Sequence, residues 1–287
     1  MVIGVLTSGN LGLETLIQME SKFEIGFVLT DSNSNKIIEF CNLRKIPIYK
    51  GNPRDGKAYN FIKKIEVDII ASINCLFLIK KDIIQHSKKL TFNIHGSLLP
   101  KYRGRTPHVW AIINNEKETG ITAHKIDEGC DTGDILSQIV VPIDEFDTGN
   151  SILEKYKREY FNLVKDVIDN CENNNLEFKV QNEKIATYFG NRTPEDGGIN
   201  WNWQKERIQN WVRAQAHPYP GAFSFFDSNK IIIDKVEFSP IGYTDEMENG
   251  MVLANSPNIV VKTPNGALEL TKLRTSIVLK IGDKIKG

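Results

Sequence analysis

The residue types that could do chemistry concentrate in two stretches. The first is Asn93-Ile94-His95-Gly96-Ser97-Leu98-Leu99-Pro100-Lys101-Tyr102-Arg103-Gly104-Arg105. Asn93 and His95 stand two apart at the end of a strand-like run, so both side chains point to the same side. That places an amide donor and a titratable imidazole at the carboxyl edge of a sheet, where ligands bind. Arg103 and Arg105, either side of Gly104, could grip phosphates as rigid forks. His95 alone reads as a satisfied core histidine beside a solvated basic loop. Beside Asn93, Ser97, Pro100 and two arginines, that plain account gives way.

The second stretch, Asp127-Glu128-Gly129-Cys130-Asp131-Thr132-Gly133-Asp134, follows a strand that contains His124. It could be an acidic surface turn or a metal loop. The alternation and terminal Glu of a calcium loop are absent, and no helical H-E-x-x-H pair supports zinc on His95, His124 and Asp131. No metal is expected. A third, weaker candidate is Ser8-Gly9-Asn10-Leu11-Gly12, with Asp31 ending the next strand. One G-x-x-G does not make the G-x-G-x-x-G of a nicotinamide site. A tight strand-to-helix turn is the plainer account, although N–H groups at a helix N-terminus can hold a phosphate.

These residues need elements to position them. Val2–Leu6, Glu24–Leu29, Ile46–Tyr49 and Val67–Ile73 are apolar strand-like runs, separated by helical spacing at Leu13–Met19, Ile37–Leu43 and Asp55–Ile65. Strands apolar throughout and alternating with helices predict a mostly parallel, doubly wound sheet, an α/β Rossmann-like domain with ligands beyond the carboxyl ends of the strands. Further strands are expected at Leu90–His95, Ile121–Ile126 and Ile135–Pro142, then a long amphipathic helix over Ile152–Cys171. The turn-rich stretch Arg192–Gly198 reads as a boundary. Beyond it come a helix, Gln204–Gln215, and short β runs at Ala222–Phe226, Ile231–Phe238, Met251–Leu253, Ile259–Lys262 and Ala267–Leu273. The reading is a catalytic domain over 1–190, a linker over 191–203 and a smaller, mostly β, OB-like domain over 204–287.

Composition narrows the class. With 287 residues, 40% hydrophobic and 25% charged, the chain is an ordinary globular one. Lys+Arg and Asp+Glu both number 36, a formal charge of zero, where nucleic-acid binding favours a basic excess. Cys41, Cys75, Cys130 and Cys171 form no C-x-x-C pair, which points to a reducing, cytoplasmic setting. The N-terminal MVIGVLTSG reads as a strand, and no apolar run approaches the ~20 residues of a membrane span.

Taken together, Asn93-x-His95-x-Ser97-Leu98-Leu99-Pro100, Thr119-Gly120-Ile121-Thr122 and Asp131-Thr132-Gly133 resemble the formyltransferase family that uses N10-formyltetrahydrofolate. Trp211-Val212-Arg213-Ala214 and Pro218-Tyr219-Pro220-Gly221-Ala222-Phe223 resemble the opening of that family's second domain. The resemblance implies a catalytic trio of Asn93, His95 and Asp131. It fits the chemistry: an amine attacking a formyl carbon makes an oxyanion and must lose a proton. Each oxyanion donor is commonly worth about 3–4 kcal/mol, and a carboxylate would orient and stabilise the imidazole. Whether His95 is mainly base or oxyanion donor stays open. The resemblance also implies a pterin slot built from Phe77-Leu78-Ile79 and from Ile126, Glu128, Gly129 and Cys130, with Leu99-Pro100 cis. Core packing is the plainer fate of Phe77–Ile79.

Among acceptors, glycinamide ribonucleotide enzymes resemble only the first domain. Methionyl-tRNA formyltransferases share both but need a positive face. Lys101-Tyr102-Arg103-Gly104-Arg105-Thr106-Pro107 and Gly190–Gly197 most resemble nucleotide-sugar N-formyltransferases. The expected acceptor is thus a nucleotide-linked amino-dideoxy sugar, such as a dTDP-4-amino-4,6-dideoxyhexose, for surface polysaccharide or O-antigen synthesis. Ser8, Gly9, Asn10, Tyr102, Arg103, Gly104, Arg105, Arg192 and Tyr219 are the expected substrate contacts. Formylfolate hydrolysis and a non-catalytic binding role are the other readings, and the fused epimerase or decarboxylase of the bifunctional lipid A-modifying relatives is not expected. A homodimer is expected, with Phe223-Ser224-Phe225-Phe226 as either its surface or the β domain's own core.

Overall fold

The computed structural model describes all residues, 1–287. In chain order the elements are β1 (Val2–Thr7), α1 (Gly9–Glu20), β2 (Glu24–Thr30), α2 (Asn35–Arg44), β3 (Ile48–Lys50), α3 (Lys57–Ile62) and β4 (Ile69–Ile73). Then follow α4 (Lys81–Ile84), β5 (Leu90–His95), β6 (Arg103–Gly104), α5 (Pro107–Ile113), β7 (Glu118–Lys125), β8 (Ile135–Pro142) and α6 (Gly149–Glu172). The remainder is β9 (Tyr188–Phe189), α7 (Lys205–Ala214), β10 (Ala222–Phe226), β11 (Asn229–Ser239), β12 (Val252–Ala254), β13 (Ile259–Thr263) and β14 (Gly266–Leu273). No helix is long and apolar enough to cross a membrane.

Two compact units form. One comprises residues 1–104, 119–141 and 155–189; the other comprises 105–118, 142–154 and 190–287. The first is built on a seven-stranded sheet of order β3-β2-β1-β4-β5-β7-β8. Pairings among β1 to β5 are parallel, and β7 turns antiparallel against β5. The fold class is therefore the expected α/β one, a mostly parallel sheet plus a smaller antiparallel one. Strands β1 and β4, at the centre of the sheet, are apolar at nearly every position because both faces are covered. Leu6, Phe27, Leu29, Ile62, Ile70 and Ile83 share one core cluster. Gly4 sits in β1 because the Phe27 ring occupies the space a Cβ would need. The order reverses at β1, between β2 and β4, so the carboxyl ends there form the crevice in which open α/β sheets bind ligands.

The second unit carries a five-stranded antiparallel sheet, β10-β11-β14-β13-β12. Helix α7 buries Ile208, Trp211, Val212 and Ala214 at helical spacing and packs on β11 and on α5. Phe223 of β10 is buried in that unit, edge-to-face with Phe225, and β10 pairs with β11. Helix α3 is shorter than the Asp55–Ile65 the spacing predicts. Gly56 enters it in the left-handed conformation, and the Ile65 N–H already bonds back to the Ile62 carbonyl. Helix α5 has no counterpart among the expected elements, because seven residues, mostly apolar, show no polar face for periodicity to reveal.

Candidate active site

Strand β5 delivers Asn93 and His95 to its carboxyl end, and the β5–β7 register sets Asn93 opposite His124 and His95 opposite Thr122. The loop that follows β7 returns Asp131 to the same place. Its Oδ2 lies 3.5 Å from His95 Nδ1 and its Oδ1 lies 3.6 Å from His124 Nε2. Asn93 Nδ2 is 3.1 Å from His124 Nε2. The structure thus brings Asn93, His95 and Asp131 together, with His124 as a fourth member. In the sequence His124 suggests only a metal ligand. No group of three or more His, Cys, Asp or Glu side chains is arranged to hold an ion.

The polar contacts fix the chemistry of the imidazole. His95 Nε2 lies 2.8 Å from the Tyr102 carbonyl, which can only accept, so Nε2 carries the hydrogen. The neutral ring therefore presents the Nδ1 lone pair on the Asp131 side. Burial pushes the His95 pKa below the ordinary imidazole value, against the opposing pull of the Asp131 charge. Burial also works to raise Asp131. The two neighbouring imidazoles and the Gly104 N–H, which donates to Oδ2 at 2.9 Å, nevertheless hold it well below the usual carboxylate range. At neutral pH the pair is a neutral imidazole beside an ionised carboxylate.

The loops are braced to keep this geometry. Leu99-Pro100 is cis. Ser97 Oγ donates to the Lys101 carbonyl at 2.7 Å, and Thr122 Oγ1 donates to the Ser97 carbonyl at 2.6 Å. Tyr156 Oη donates to the Gly96 carbonyl at 3.0 Å, directly after His95. Tyr102 and Asp131 both hold φ near +60° (60° and 56°). That region costs an L residue roughly 1–2 kcal/mol, so surrounding contacts must enforce it.

The expected pterin segments are neighbours. Leu78 is exposed, while Phe77 and Ile79 are half-buried, and Ile79 packs on the sheet's core. Lys81 Nζ and Glu128 Oε1 stand 3.7 Å apart, tying the segment after β4 to the loop of Ile126, Glu128, Gly129 and Cys130. Asp127 closes that loop by accepting from Gly129 N at 3.0 Å and Thr132 Oγ1 at 2.7 Å.

At the start of α1, Gly9 and Asn10 are exposed and Ser8 is buried. The hydroxyls of Thr7 and Thr30 are buried there without hydrogen-bond partners. Asn74, after β4, donates to the Ser8 carbonyl at 2.9 Å.

One expected contact is corrected. Arg103 is wholly buried, and its guanidinium is engaged by Glu183 (2.9 and 2.6 Å), Gln181 (3.2 and 2.8 Å) and the Tyr188 hydroxyl. It cannot grip a diphosphate. Gly104 instead serves through its N–H, at φ +100°, where a Cβ would strike the Phe189 carbonyl. Within the second unit, Arg105 is exposed and Arg192 is stacked between Trp110 and Trp211, 5.1 and 4.3 Å from their centroids. The Tyr219 hydroxyl meets His108 Nε2 at 2.9 Å.

Residues 18–168 match the profile described as Formyl transferase, and residues 191–280 match the Formyl transferase C-terminal domain. The bifunctional polymyxin resistance protein ArnA of Wigglesworthia glossinidia brevipalpis is 34% identical over 259 residues, 88% of this chain. The chain spans 39% of that relative's length. Among solved structures, WlaRD, a sugar 3N-formyl transferase crystallised with dTDP and 5-N-formyl-THF, superposes with a TM-score of 0.70 at 24% identity, covering 96% of this chain and 99% of its own. An N-formyltransferase of Helicobacter canadensis, in complex with folinic acid and dTDP-3-aminofucose, gives 0.68 at 23% identity, with coverage of 99% and 100%. At such identities these two likenesses speak for the fold. With the profile match over more than half its length, the chain belongs to the formyl transferase family.

Proposed function

We propose that this protein transfers the formyl group of N10-formyltetrahydrofolate to the amine of a nucleotide-linked amino-dideoxy sugar, for surface polysaccharide synthesis. The observation that carries the reading is the Asp131 carboxylate facing His95 Nδ1 at 3.5 Å, with the Asn93 amide alongside, in a formyl transferase chain. The exposed apolar segment around Leu78 beside the Ile126–Cys130 loop suits a flat pterin. The unpartnered hydroxyls of Thr7 and Thr30 suit the hydroxyl-rich or phosphate end of the acceptor.

The folate supplies the formyl carbon; the remaining tasks belong to the chain. The amine nitrogen bonds to that carbon as the bond to N10 breaks. His95 Nδ1 takes the proton the amine must lose, and the resulting imidazolium is held by Asp131. The same proton is then available to N10 as it leaves. An Asn93 N–H stabilises negative charge on the formyl oxygen. In neutral His95 the only N–H faces the Tyr102 carbonyl, which favours the role of base over that of oxyanion donor. With Arg103 buried, the exposed Arg105 is the arginine of that pair assigned to the diphosphate.

The test is tetrahydrofolate release from N10-formyltetrahydrofolate with and without dTDP- or UDP-linked amino sugars. Release that requires the sugar supports the proposal. Release without any sugar means hydrolysis, and release only with Met-tRNA means the tRNA enzyme.

A further inference from the structure

Asp131 stands in a conformation that an L residue avoids, and its carbonyl and carboxylate are gripped from different sides. Gln181, 5% exposed, uses both hydrogens of one amide: Nε2 donates to the Asp131 carbonyl at 2.8 Å and to the Gly133 carbonyl at 2.7 Å. A single side chain thus straddles Thr132 and fixes the turn that aims the carboxylate. The amide cannot flip, because its Oε1 accepts from Arg103 Nε at 3.2 Å and Nη2 at 2.8 Å. Arg103 is fixed in turn by the bidentate Glu183 carboxylate and the Tyr188 hydroxyl. The backbone next to Arg103 completes the grip, since Gly104 N donates to Asp131 Oδ2 at 2.9 Å. Gly133 leaves no slack, because a Cβ there would collide with the Lys125 carbonyl.

We propose that Gln181 and Arg103 are positioning residues that hold Asp131 against His95, so that a chain of contacts from Glu183 to the Asp-Thr-Gly turn sets the geometry of proton transfer. The inference rests on the proposed function for its kinetic arm only. Both are buried, and each acts through Asp131.

Gln181→Leu removes both donated hydrogens at nearly constant volume. In sugar-dependent formyl transfer, kcat is expected to fall about a hundredfold, the scale of a misplaced reacting group. KM for both substrates stays close to the parent value, because only the chemical step loses its alignment. Arg103→Lys keeps the charge but loses the fork, and is expected to give a smaller fall, about tenfold. The readout that separates positioning from mere structure is the His95 ring titration by proton NMR on the whole chain, assigned against a His95→Asn control. It moves to lower pH in Gln181→Leu, because the carboxylate favouring the protonated ring has shifted away. If Gln181→Leu does not fold, Gln181→Met, similar in size and also without a donor, carries the test. A folded variant with parent kcat and parent His95 titration overturns the proposal. So does a fall in kcat with an unmoved His95 titration, which would make Gln181 structural only. A parent chain that transfers no formyl group sinks the functional reading instead, and leaves the titration as judge of this one.

Discussion

His95 and His108 are buried alike, 7% and 8% exposed, and burial lowers both pKa values. Their neighbours differ. His95, at the end of β5 in the first unit, has a carbonyl on one nitrogen and an ionised carboxylate facing the other. His108, on α5 in the second unit, has the Tyr219 hydroxyl on Nε2, and its pKa falls to about 4. Burial by itself makes a histidine neutral. A carboxylate opposite the free nitrogen makes that neutral ring a usable base, because the proton it gains has somewhere favourable to sit.

The most severe trial of this difference is Asp131→Asn. It keeps the shape and removes the charge, and kcat in the sugar-dependent assay is expected to drop about a thousandfold. On the proposed mechanism, in which the neutral ring accepts the proton, the same assay on the parent is expected to show kcat falling with acid, at a midpoint below the ordinary 6.5. Asn93→Ala is expected to cost about a hundredfold, the scale of one lost oxyanion donor, with circular dichroism unchanged.

His108 probes the difference from the stability side. Its folded pKa lies below the unfolded value, so its contribution is intact above pH 6.5 and is lost as pH falls toward about 4. Urea titrations of the parent should therefore lose about 2 kcal/mol from this group between pH 7 and pH 5. His108→Gln should abolish that loss. Should His108→Gln instead cut turnover as deeply as Asp131→Asn, the two histidines would not be different in kind. The smallest effect is at the surface. Lys81→Ala breaks the exposed pair with Glu128, and the unfolding free energy should move by less than about 1 kcal/mol, because charge without burial has little leverage.

The sequence makes some of this legible and hides the rest. Strands such as β1 and β4 announce themselves as largely apolar runs, because a sheet covered on both faces has no polar side. Asn93, His95 and Asp131 stand out through spacing and resemblance. Gln181 does not: it follows the alternating run Leu176-Glu177-Phe178-Lys179-Val180 as one more polar residue, and its role exists only once the chain brings it back to Asp131. Arg103 misleads for the opposite reason. An arginine beside glycine in a loop looks solvated, and nothing nearby in sequence reveals that Glu183 and Tyr188, 80 and 85 residues on, will enclose it.

The chain crosses between its two compact units five times, at 104/105, 118/119, 141/142, 154/155 and 189/190. Neither unit is a continuous length of polypeptide. A chain truncated after Phe189 would still carry α5, with its buried Val109, Ala111 and Ile112, but not α7, the helix α5 packs on. Cutting the gene at that point would therefore yield an aggregation-prone fragment in place of a minimal catalyst. Shuffling the C-terminal half between relatives would have to carry residues 105–118 and 142–154 along with it.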